Sequence, residues 1–340
     1  MLIKRHHGNL ETLSEYESEN LIIAEKQLRN ILQNQSKLVN DLYEKNLMEN
    51  LVKLDVDQFG KDLEEFEDYL DYFRDNLSDE NQEIELFFIV NLLFSVLIDS
   101  DKKDAARLDL QYFQGNLEEP VDDVFTFLED CRQKQPNKFN LDLPLNRIRN
   151  DFLKNISENN NIHPENHFYT ITAPTGIGKT FGCLVFANKL KKQLPKGEGR
   201  LVYCLPYTSI IDQNFEEFKK IISFGKKEKF ERRPQRYLLK HHHLSFETIK
   251  NRKKEETYNF KDYLDDRLLV ESWESAFIVT TFVQFFHTII GHANRFLIKF
   301  HNMVNSIIVL DEIQNIAPDY YYLLKKVLHV LGKRDRKSVV

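Results

Sequence analysis

The sequence predicts an all-helical N-terminal region followed by an α/β domain with a mainly parallel sheet. Two observations carry this prediction. Between residues 10 and 54 the apolar residues recur at helical spacing, and from about Pro144 short β-branched and aromatic runs alternate with helical segments. That alternation is typical of parallel strands joined by crossover helices, so the second region is expected to be an α/β domain.

The N-terminal region is predicted to be helical because its apolar side chains fall on one helical face. The residues that set this spacing are Leu28, Ile31, Leu32, Leu38, Val39 and Leu42. A later apolar run, IELFFIVNLLFSVLI, is interrupted by polar residues and is shorter than the roughly 20 residues of a membrane span. We therefore expect a buried helix there and no membrane partner.

The α/β region is predicted from four runs that resemble strands buried on both faces. These runs are FYTITA, RLVYCLPYT, AFIVTTF and SIIVLDEI. Helices are expected at FGCLVFANKLKKQL and IIDQNFEEFKKII, and again at YYYLLKKVLHVL, whereas the charged segment 225–267 is interpreted as partly an insertion or a mobile loop. The predicted boundaries are 1–143 for the helical region and 144–334 for the α/β domain.

Residues 335–340 are predicted to be a non-native tail. Their sequence, DRKSVV, is what a common sequencing adaptor encodes in one reading frame. We expect the native sequence to be truncated at that point, so that these six residues are not part of the native fold.

Composition narrows the class of partner and the compartment. The net charge is -6 with 41% hydrophobic and 29% charged residues, which is ordinary globular composition. This charge gives no global attraction to nucleic acid, so such binding would need a local basic face or backbone contacts. Cys131, Cys183 and Cys204 lack metal-ligand spacing and are expected to be packing residues in a reducing compartment. Together with the absence of a signal-peptide pattern, this predicts a cytoplasmic protein.

The strongest motif is APTGIGKT at residues 173–180, between a predicted strand and a predicted helix. It departs from the strict phosphate-loop pattern by Ala173 in place of the first glycine. Glycines let backbone N–H groups turn inward around phosphate oxygens, a lysine contacts the β and γ phosphates, and a threonine hydroxyl can bind Mg²⁺. The predicted nucleotide-binding residues are Pro174, Thr175, Gly176, Ile177, Gly178, Lys179 and Thr180.

Two acids follow the predicted strand SIIVL, as a phosphate loop requires. Asp311 is expected to join Thr180 in holding the Mg²⁺ that accompanies ATP. Glu312 is expected to orient or deprotonate the attacking water and, with Lys179, to be catalytic. Taken alone, paired acids after a strand are often helix caps, but this alternative is weakened by the presence of APTGIGKT.

Small hydroxyl residues also follow two predicted strands, in LPYTSIIDQ and IVTTFVQFF. Hydroxyls at helix N-termini suit contacts with a phosphate backbone without base specificity. The same residues are as often plain helix caps, so both interpretations stay open at this point.

Taken in order, APTGIGKT, LPYTSIIDQ, ESWESAFIVTTFVQFF and LDEIQ resemble the first RecA-like domain of superfamily-two helicases. More narrowly, the chain resembles the CRISPR-associated helicase-nuclease family of type I systems (Cas-three). That resemblance implies an HD-type nuclease domain, of which 1–143 would be the C-terminal part, and a first RecA-like domain at 144–334. It also implies ATP-driven movement along single-stranded DNA, recruitment by a guide-RNA surveillance complex, and antiviral defence.

The resemblance assigns further residues one by one. Thr208, Thr280, Thr281 and Gln284 become candidates for a DNA-facing edge, and Gln314 would couple the ATP state to a later motif. His6, His7 and Asp101, with Asp99 as a nearby rival, would belong to the nuclease metal site. Imidazoles and a carboxylate suit Mn, Co, Ni, Fe or Zn.

The nuclease site is expected to be incomplete, because the sequence contains no His-Asp dipeptide. The chain is therefore interpreted as truncated at both ends, able to bind nucleotide but with weak turnover. One alternative is another superfamily-two ATPase whose helical region binds partners. The other is a non-catalytic fragment that binds nucleotide or DNA. The histidines at 241–243 are expected to lie on a solvated face.

Overall fold

The computed structural model describes residues 80–106, 124–195, 199–224, 227–232, 234–241, 260–334 and 338–339. The chain divides into two compact units, one of residues 10–86 with Met1 and one of residues 87–340 with 2–9. Within the first unit only 80–86 are described, and they are helical. His6, His7 and the helices predicted between residues 10 and 54 lie outside the described residues.

Helices make up most of the described chain, and they are numbered here in chain order. They are α1 (Glu80–Ala105), α2 (Val124–Lys134), α3 (Pro136–Phe139), α4 (Pro144–Glu158), α5 (Lys179–Lys191), α6 (Thr208–Ile222), α7 (Lys227–Arg232), α8 (Pro234–Tyr237), α9 (Phe260–Ser272), α10 (Phe282–Ile290), α11 (Asn294–Leu297) and α12 (Tyr321–Arg334). Three 3₁₀ segments are η1 (Phe300–Met303), η2 (Ile313–Asn315) and η3 (Pro318–Tyr320).

Within the residues that the structure describes, the sheet has five strands, all parallel. They are β1 (Leu201–Leu205), β2 (Leu239–His241), β3 (Phe277–Thr281), β4 (Ile307–Leu310) and β5 (Ser338–Val339), arranged in the order β2-β3-β1-β4-β5. In the centre, Cys204 of β1 stands opposite Thr280 of β3 and Leu310 of β4. This register brings the carboxyl ends of the three inner strands to one edge, where parallel sheets bind ligands.

Every residue of β1, β3 and β4 is buried, because helices cover the sheet. The strands are accordingly continuous apolar or small-residue runs rather than alternating ones, as expected for a parallel sheet. Aromatic rings fill the core beside β1, with Tyr203 against Phe218 and Phe277. The predicted fold class, helical first and then α/β of RecA-like type, is confirmed.

One predicted strand is not formed. FYTITA contains a single bridging residue, Phe168, and residues 169–174 have no regular hydrogen-bonded structure. The exposure of alternate residues 168, 170 and 172 fits an extended chain. The five strands of the described sheet pair with one another, and none of them forms a ladder with this segment.

The charged segment 225–267 is more ordered than predicted where it is described. It contains α7, α8 and the edge strand β2. His241 is buried in β2 instead of lying on a solvated face, and its ring packs edge-on against Trp273. The last strand, β5, lies within the six-residue tail and pairs with β4. This pairing does not test the origin of the tail, and the boundaries 143/144 and 334/335 stay predictions.

The apolar helix α1 is buried on one face only. Phe94 and Ile98 are buried, whereas Leu93 and Val96 are 56% and 46% exposed. The predicted burial of this helix therefore applies to the face that carries Phe94 and Ile98. The buried face contacts the α/β domain, with Phe88 stacked on Phe300.

Asp99 and Lys103 of α1 meet Glu274 and His301 of the α/β domain, and these four residues are named here the α1 cluster. The Lys103 ammonium lies 2.5 Å from Asp99 and 2.6 Å from Glu274. His301 Nε2 is 3.4 Å from the Asp99 carboxylate, and its Nδ1 pairs with Ser95 at 2.9 Å. Asp99, Glu274 and His301 have ligand-type atoms near enough for one metal ion. The lysine already supplies the cation, so we interpret the cluster as an ion-pair network.

Among the described residues, a second buried lysine, Lys299, has no carboxylate in direct contact. Lys299 is 2% exposed, and its ammonium donates to the carbonyl of Arg295 at 2.8 Å. The same nitrogen lies over the rings of Trp273 and Phe296. Burial lowers the pKa of Lys299 from its ordinary value to about 7. Among the described residues, its charge is therefore stabilised by direct contact with the Arg295 carbonyl and with the faces of the Trp273 and Phe296 rings.

Across the described residues, none of the helices combines the length and the apolar character that crossing a membrane requires.

Candidate functional site

The glycine-rich loop forms a turn directly before helix α5. Gly176 and Gly178 have φ of +81° and +94°, in the left-handed region that favours glycine. Gly178 is the N-cap of α5, and the helix begins at Lys179. The backbone N–H groups of the first helical turn lack partners within the helix, so this terminus suits a phosphate.

Lys179 and Glu312 meet at the cavity side of this loop. The Lys179 ammonium lies 3.0 Å from Glu312 Oε1, and both side chains are partly exposed. The hydrogen bond from Lys179 holds the pKa of Glu312 below its ordinary value. Gln314 Nε2 donates to the other carboxylate oxygen of Glu312. We name Lys179, Glu312 and Gln314 the loop cluster.

The two predicted Mg²⁺ ligands follow different elements but reach the same place. Asp311 directly follows β4, and its Oδ2 accepts a hydrogen bond of 2.7 Å from the Tyr203 hydroxyl. Thr180, in the first turn of α5, pairs with Asn214 Oδ1 at 3.3 Å. A hydroxyl and a carboxylate are the hard oxygen donors that Mg²⁺ prefers, so this pair fits the ion.

A cavity of about 690 Å³ opens over the loop. Its walls come from the glycine-rich loop, the carboxyl end of β1, one face of α6, the acids after β4, and helices α2 to α4. Arg149 of α4 donates to the Gly176 carbonyl at 2.9 Å, which ties the helical wall to the loop. The volume is in the range of small-molecule sites, and the apolar lining extends beyond the loop to Phe139 and Leu141.

The predicted DNA-facing residues do not share one environment. Thr280 is fully buried, and its hydroxyl donates to the His241 carbonyl at 2.8 Å. Its prediction is therefore corrected, because this hydroxyl joins β3 to β2. Thr281 is 6% exposed and caps α10, accepting from the Gln284 backbone at 3.2 Å. Thr208 and Gln284 are partly exposed, so they alone remain accessible candidates.

Three residues at the site were not predicted from the sequence: Arg149 and Asn214, which line the cavity, and Tyr203, which is buried and bonded to Asp311. The sequence did contain an indication that Tyr203 has a hydrogen-bond partner, because it is the only side chain in the buried strand LVYCL with a strong hydrogen-bonding group. Asn214 and Arg149 lie among many polar residues of amphipathic helices and gave no signal. Their importance depends on which helical face meets the loop.

The candidate nuclease residues are described only in part. Asp101 lies two positions after Asp99 on α1 and is partly exposed. Asp99 is buried in the α1 cluster, and its pKa is lowered: desolvation opposes the shift, while His301 and Lys103 favour the carboxylate. Asp99 is thus engaged in the α1 cluster, and the assignment of Asp101 to a nuclease site stays a prediction.

The glycine-rich turn, the helix that begins at Lys179, and the acids at the end of a parallel strand define a P-loop nucleotide-binding domain. Comparison with known proteins identifies the family within this class. The DEAD/DEAH box helicase family matches residues 146–340, and the chain belongs to that family. This membership implies ATP and Mg²⁺ as ligands of the domain.

The chain is also similar to the CRISPR-associated nuclease/helicase Cas3 of Haloferax volcanii. The two are 30% identical over 177 residues, which is 50% of this chain and 18% of that protein. The predicted resemblance to CRISPR-associated helicase-nucleases is thus confirmed for half of the chain. The chain spans less than a fifth of the length of this curated relative.

Proposed function

We propose that the cavity binds ATP with Mg²⁺ and that this domain is the motor of an ATP-dependent helicase acting on single-stranded DNA. The observation that carries the proposal is the contact of Lys179 with Glu312 at 3.0 Å, beside the glycine-rich turn. It joins the loop to the acids after β4 at one cavity, which is the arrangement that phosphoryl transfer requires.

Glu312 is the hydrogen-bond partner of the Lys179 ammonium. A triphosphate seated on the N-terminus of α5 would compete for that ammonium, because its γ-phosphate is the more highly charged anion. Lys179 would then turn from the acid to the phosphate. The released Glu312, an anion at neutral pH, would accept a hydrogen bond from the attacking water and orient it.

The Mg²⁺ ion, held by Thr180 and Asp311, would neutralise charge on the phosphate oxygens. The protein's own contribution is to keep both ligands in place before the nucleotide arrives. Gln314, bonded to Glu312, is the residue through which a change at the acid would reach the following η2 segment. We assign it this coupling role because it touches the acid directly.

Single-stranded DNA is proposed as the substrate on the strength of the family and of the similarity to the Haloferax protein. Thr208, at the N-terminus of α6, and Gln284, in the first turn of α10, are the accessible candidates for backbone contacts. By the same similarity, the partner would be a guide-RNA complex of a type I CRISPR system.

We further propose that Asp101 is one ligand of a nuclease metal site that includes His6 and His7. Support comes from the similarity to the Haloferax volcanii protein, a CRISPR-associated nuclease/helicase. The metal would be Mn, Co, Ni, Fe or Zn. Asp104→Asn is a matched control, because Asp104 is an exposed acid on the same helix.

Metal titration tests this second proposal. Co²⁺ binding by residues 1–340, followed by its visible absorption, should weaken in Asp101→Asn and stay unchanged in Asp104→Asn. Equal binding by both variants would contradict the assignment of Asp101.

Equilibrium binding of a fluorescent ATP analogue tests the first proposal. The wild-type chain should bind N-methylanthraniloyl-ATP in the presence of Mg²⁺ and bind it more weakly in EDTA. Anisotropy of labelled oligonucleotides should show preference for single-stranded DNA, reduced in Thr208→Val and unchanged in Thr172→Val, which alters an exposed threonine before the loop. Failure to bind the nucleotide under any condition would reject the proposed motor.

A further inference from the structure

The central strand β1 carries a phenol that no solvent reaches. Tyr203 is fully buried, with its ring packed edge-on against Phe218 at 5.0 Å between ring centroids. A phenylalanine would make the same ring contacts. The hydroxyl therefore needs a separate explanation, because burying a polar group is unfavourable unless it is hydrogen-bonded.

The Tyr203 hydroxyl contacts one of the two predicted Mg²⁺ ligands, donating to Asp311 Oδ2 at 2.7 Å. This hydrogen bond fixes the orientation of the Asp311 carboxylate at the end of β4.

The second predicted Mg²⁺ ligand, Thr180, is held by Asn214. The amide nitrogen of Asn214 donates to the Ile210 carbonyl at 3.1 Å, which fixes the amide plane on α6. Its Oδ1 then accepts from the Thr180 hydroxyl at 3.3 Å. When the hydroxyl proton points to Asn214, the oxygen lone pairs of Thr180 are available to a cation.

We propose that Tyr203 is a positioning residue for the metal ion of the nucleotide site, fixing Asp311 through Oδ2 so that Oδ1 serves as the ligand atom. Asn214 does the same for Thr180. The proposal rests on the Mg²⁺-ATP site proposed above. Groups that hydrogen-bond to metal ligands orient them before the metal binds, and their loss weakens metal affinity by roughly 10- to 100-fold.

The test is the Mg²⁺ dependence of nucleotide binding, which does not require turnover. N-methylanthraniloyl-ATP is titrated into residues 1–340 at fixed free Mg²⁺ concentrations and in EDTA. Tyr203→Phe should need about tenfold more Mg²⁺ than wild type for half of the full effect. Its affinity in EDTA should be unchanged, because the glycine-rich loop and Lys179 are untouched.

Tyr169→Phe is the matched control. It also removes a phenol hydroxyl from a ring packed in the core, but that hydroxyl bonds the His163 backbone at 2.6 Å. It should leave the Mg²⁺ requirement unchanged. In an Asp311→Asn background, Tyr203→Phe should add almost nothing, because the two residues act through one contact. Additive effects in that double variant would overturn the proposal.

Asn214 provides an independent variant in case Tyr203→Phe unfolds, as followed by circular dichroism. Asn214→Ala should raise the Mg²⁺ requirement, and Asn214→Asp, which keeps an acceptor, should restore it. A wild-type Mg²⁺ requirement in Tyr203→Phe or, where that variant unfolds, in Asn214→Ala would overturn this proposal alone. Wild-type protein whose nucleotide binding ignores Mg²⁺ would overturn the Mg²⁺-ATP site as well.

Discussion

The loop cluster and the α1 cluster both join a lysine to carboxylates, and they differ in exposure. In the loop cluster, Lys179 and Glu312 are 27% and 30% exposed, and they line an open cavity. In the α1 cluster, Lys103 contacts Asp99 and Glu274, and the three are 7% to 15% exposed. The difference teaches that a charged group serves binding when its partner can be exchanged, and serves stability when it is enclosed.

The largest effect is expected from Lys103→Met. This change leaves the Asp99 and Glu274 carboxylates close together without their cation, and breaking a buried pair in this way costs about 3–5 kcal/mol. Urea unfolding should show that loss. Lys102→Met is the matched control, because Lys102 pairs with Glu271 at 3.2 Å but is 40% exposed. It should cost under about 1 kcal/mol. Equal losses in the two variants would remove the distinction between enclosed and exchangeable clusters.

Lys179→Ala should change nucleotide affinity strongly and stability little, the reverse of what is expected of Lys103→Met. Nucleotide affinity should fall by about 100-fold or more, since a charge-assisted contact with phosphate is lost, while stability should change by under about 1 kcal/mol. Lys189→Ala, on the same helix, is the control, because its ammonium caps the Ser157 carbonyl away from the loop. Unaltered nucleotide affinity in Lys179→Ala would contradict the exchange of partners.

Lys299 extends the comparison to a buried cation without an acid in direct contact. Its pKa of about 7 lies below the ordinary value, so the unfolded chain binds more protons between these two values and stability rises with pH there. Relative to Lys299→Met, wild type should gain about 2 kcal/mol between pH 7 and pH 9. Chemical denaturation at both pH values measures this, and a constant difference would mean that the ring faces and the Arg295 carbonyl cancel the burial effect.

The smallest effect on the isolated chain is expected for nucleotide binding in Glu312→Gln. Removing the anion that competes for Lys179 should tighten ATP analogue binding by about threefold to tenfold, which is about 1 kcal/mol. In the protein with all motor domains the same change should lower turnover by about 100-fold, because the water loses its base. Weaker analogue binding would show that Glu312 assists the nucleotide instead of competing with it.

Most of the α/β fold could be predicted because its signals are local. LVYCL, FIVTT and IIVL are strands where the apolar runs predicted them, and α5 begins directly after the glycine-rich turn. FYTITA has the same local character but forms no ladder with the five strands of the described sheet, and pairing is a non-local property. The strand β2 was missed for the converse reason, since its sequence is charged and its partner β3 is distant along the chain.

The sequence predicted the glycine-rich loop and the acids of the candidate site. It did not predict the residues that hydrogen-bond to them. The loop and the acids follow strand or helix boundaries that the sequence marks. The environment of Thr280 depends on the carbonyl of a neighbouring strand, so a hydroxyl at a strand end could not be assigned to a surface or an interior beforehand. Tyr203 and Asn214 contact the site only because β1 and α6 pack beside α5.

Glu312 adopts φ of +57°, in the left-handed region that a side chain with a Cβ enters at a cost of about 1–2 kcal/mol. A glycine would form the same turn after β4 without that cost, and would remove the carboxylate from Lys179. Selection for stability alone therefore runs against an acid at this position. A screen for thermostable variants should enrich Glu312→Gly. Each such gain in stability would be accompanied by loss of the ATP turnover proposed for Glu312.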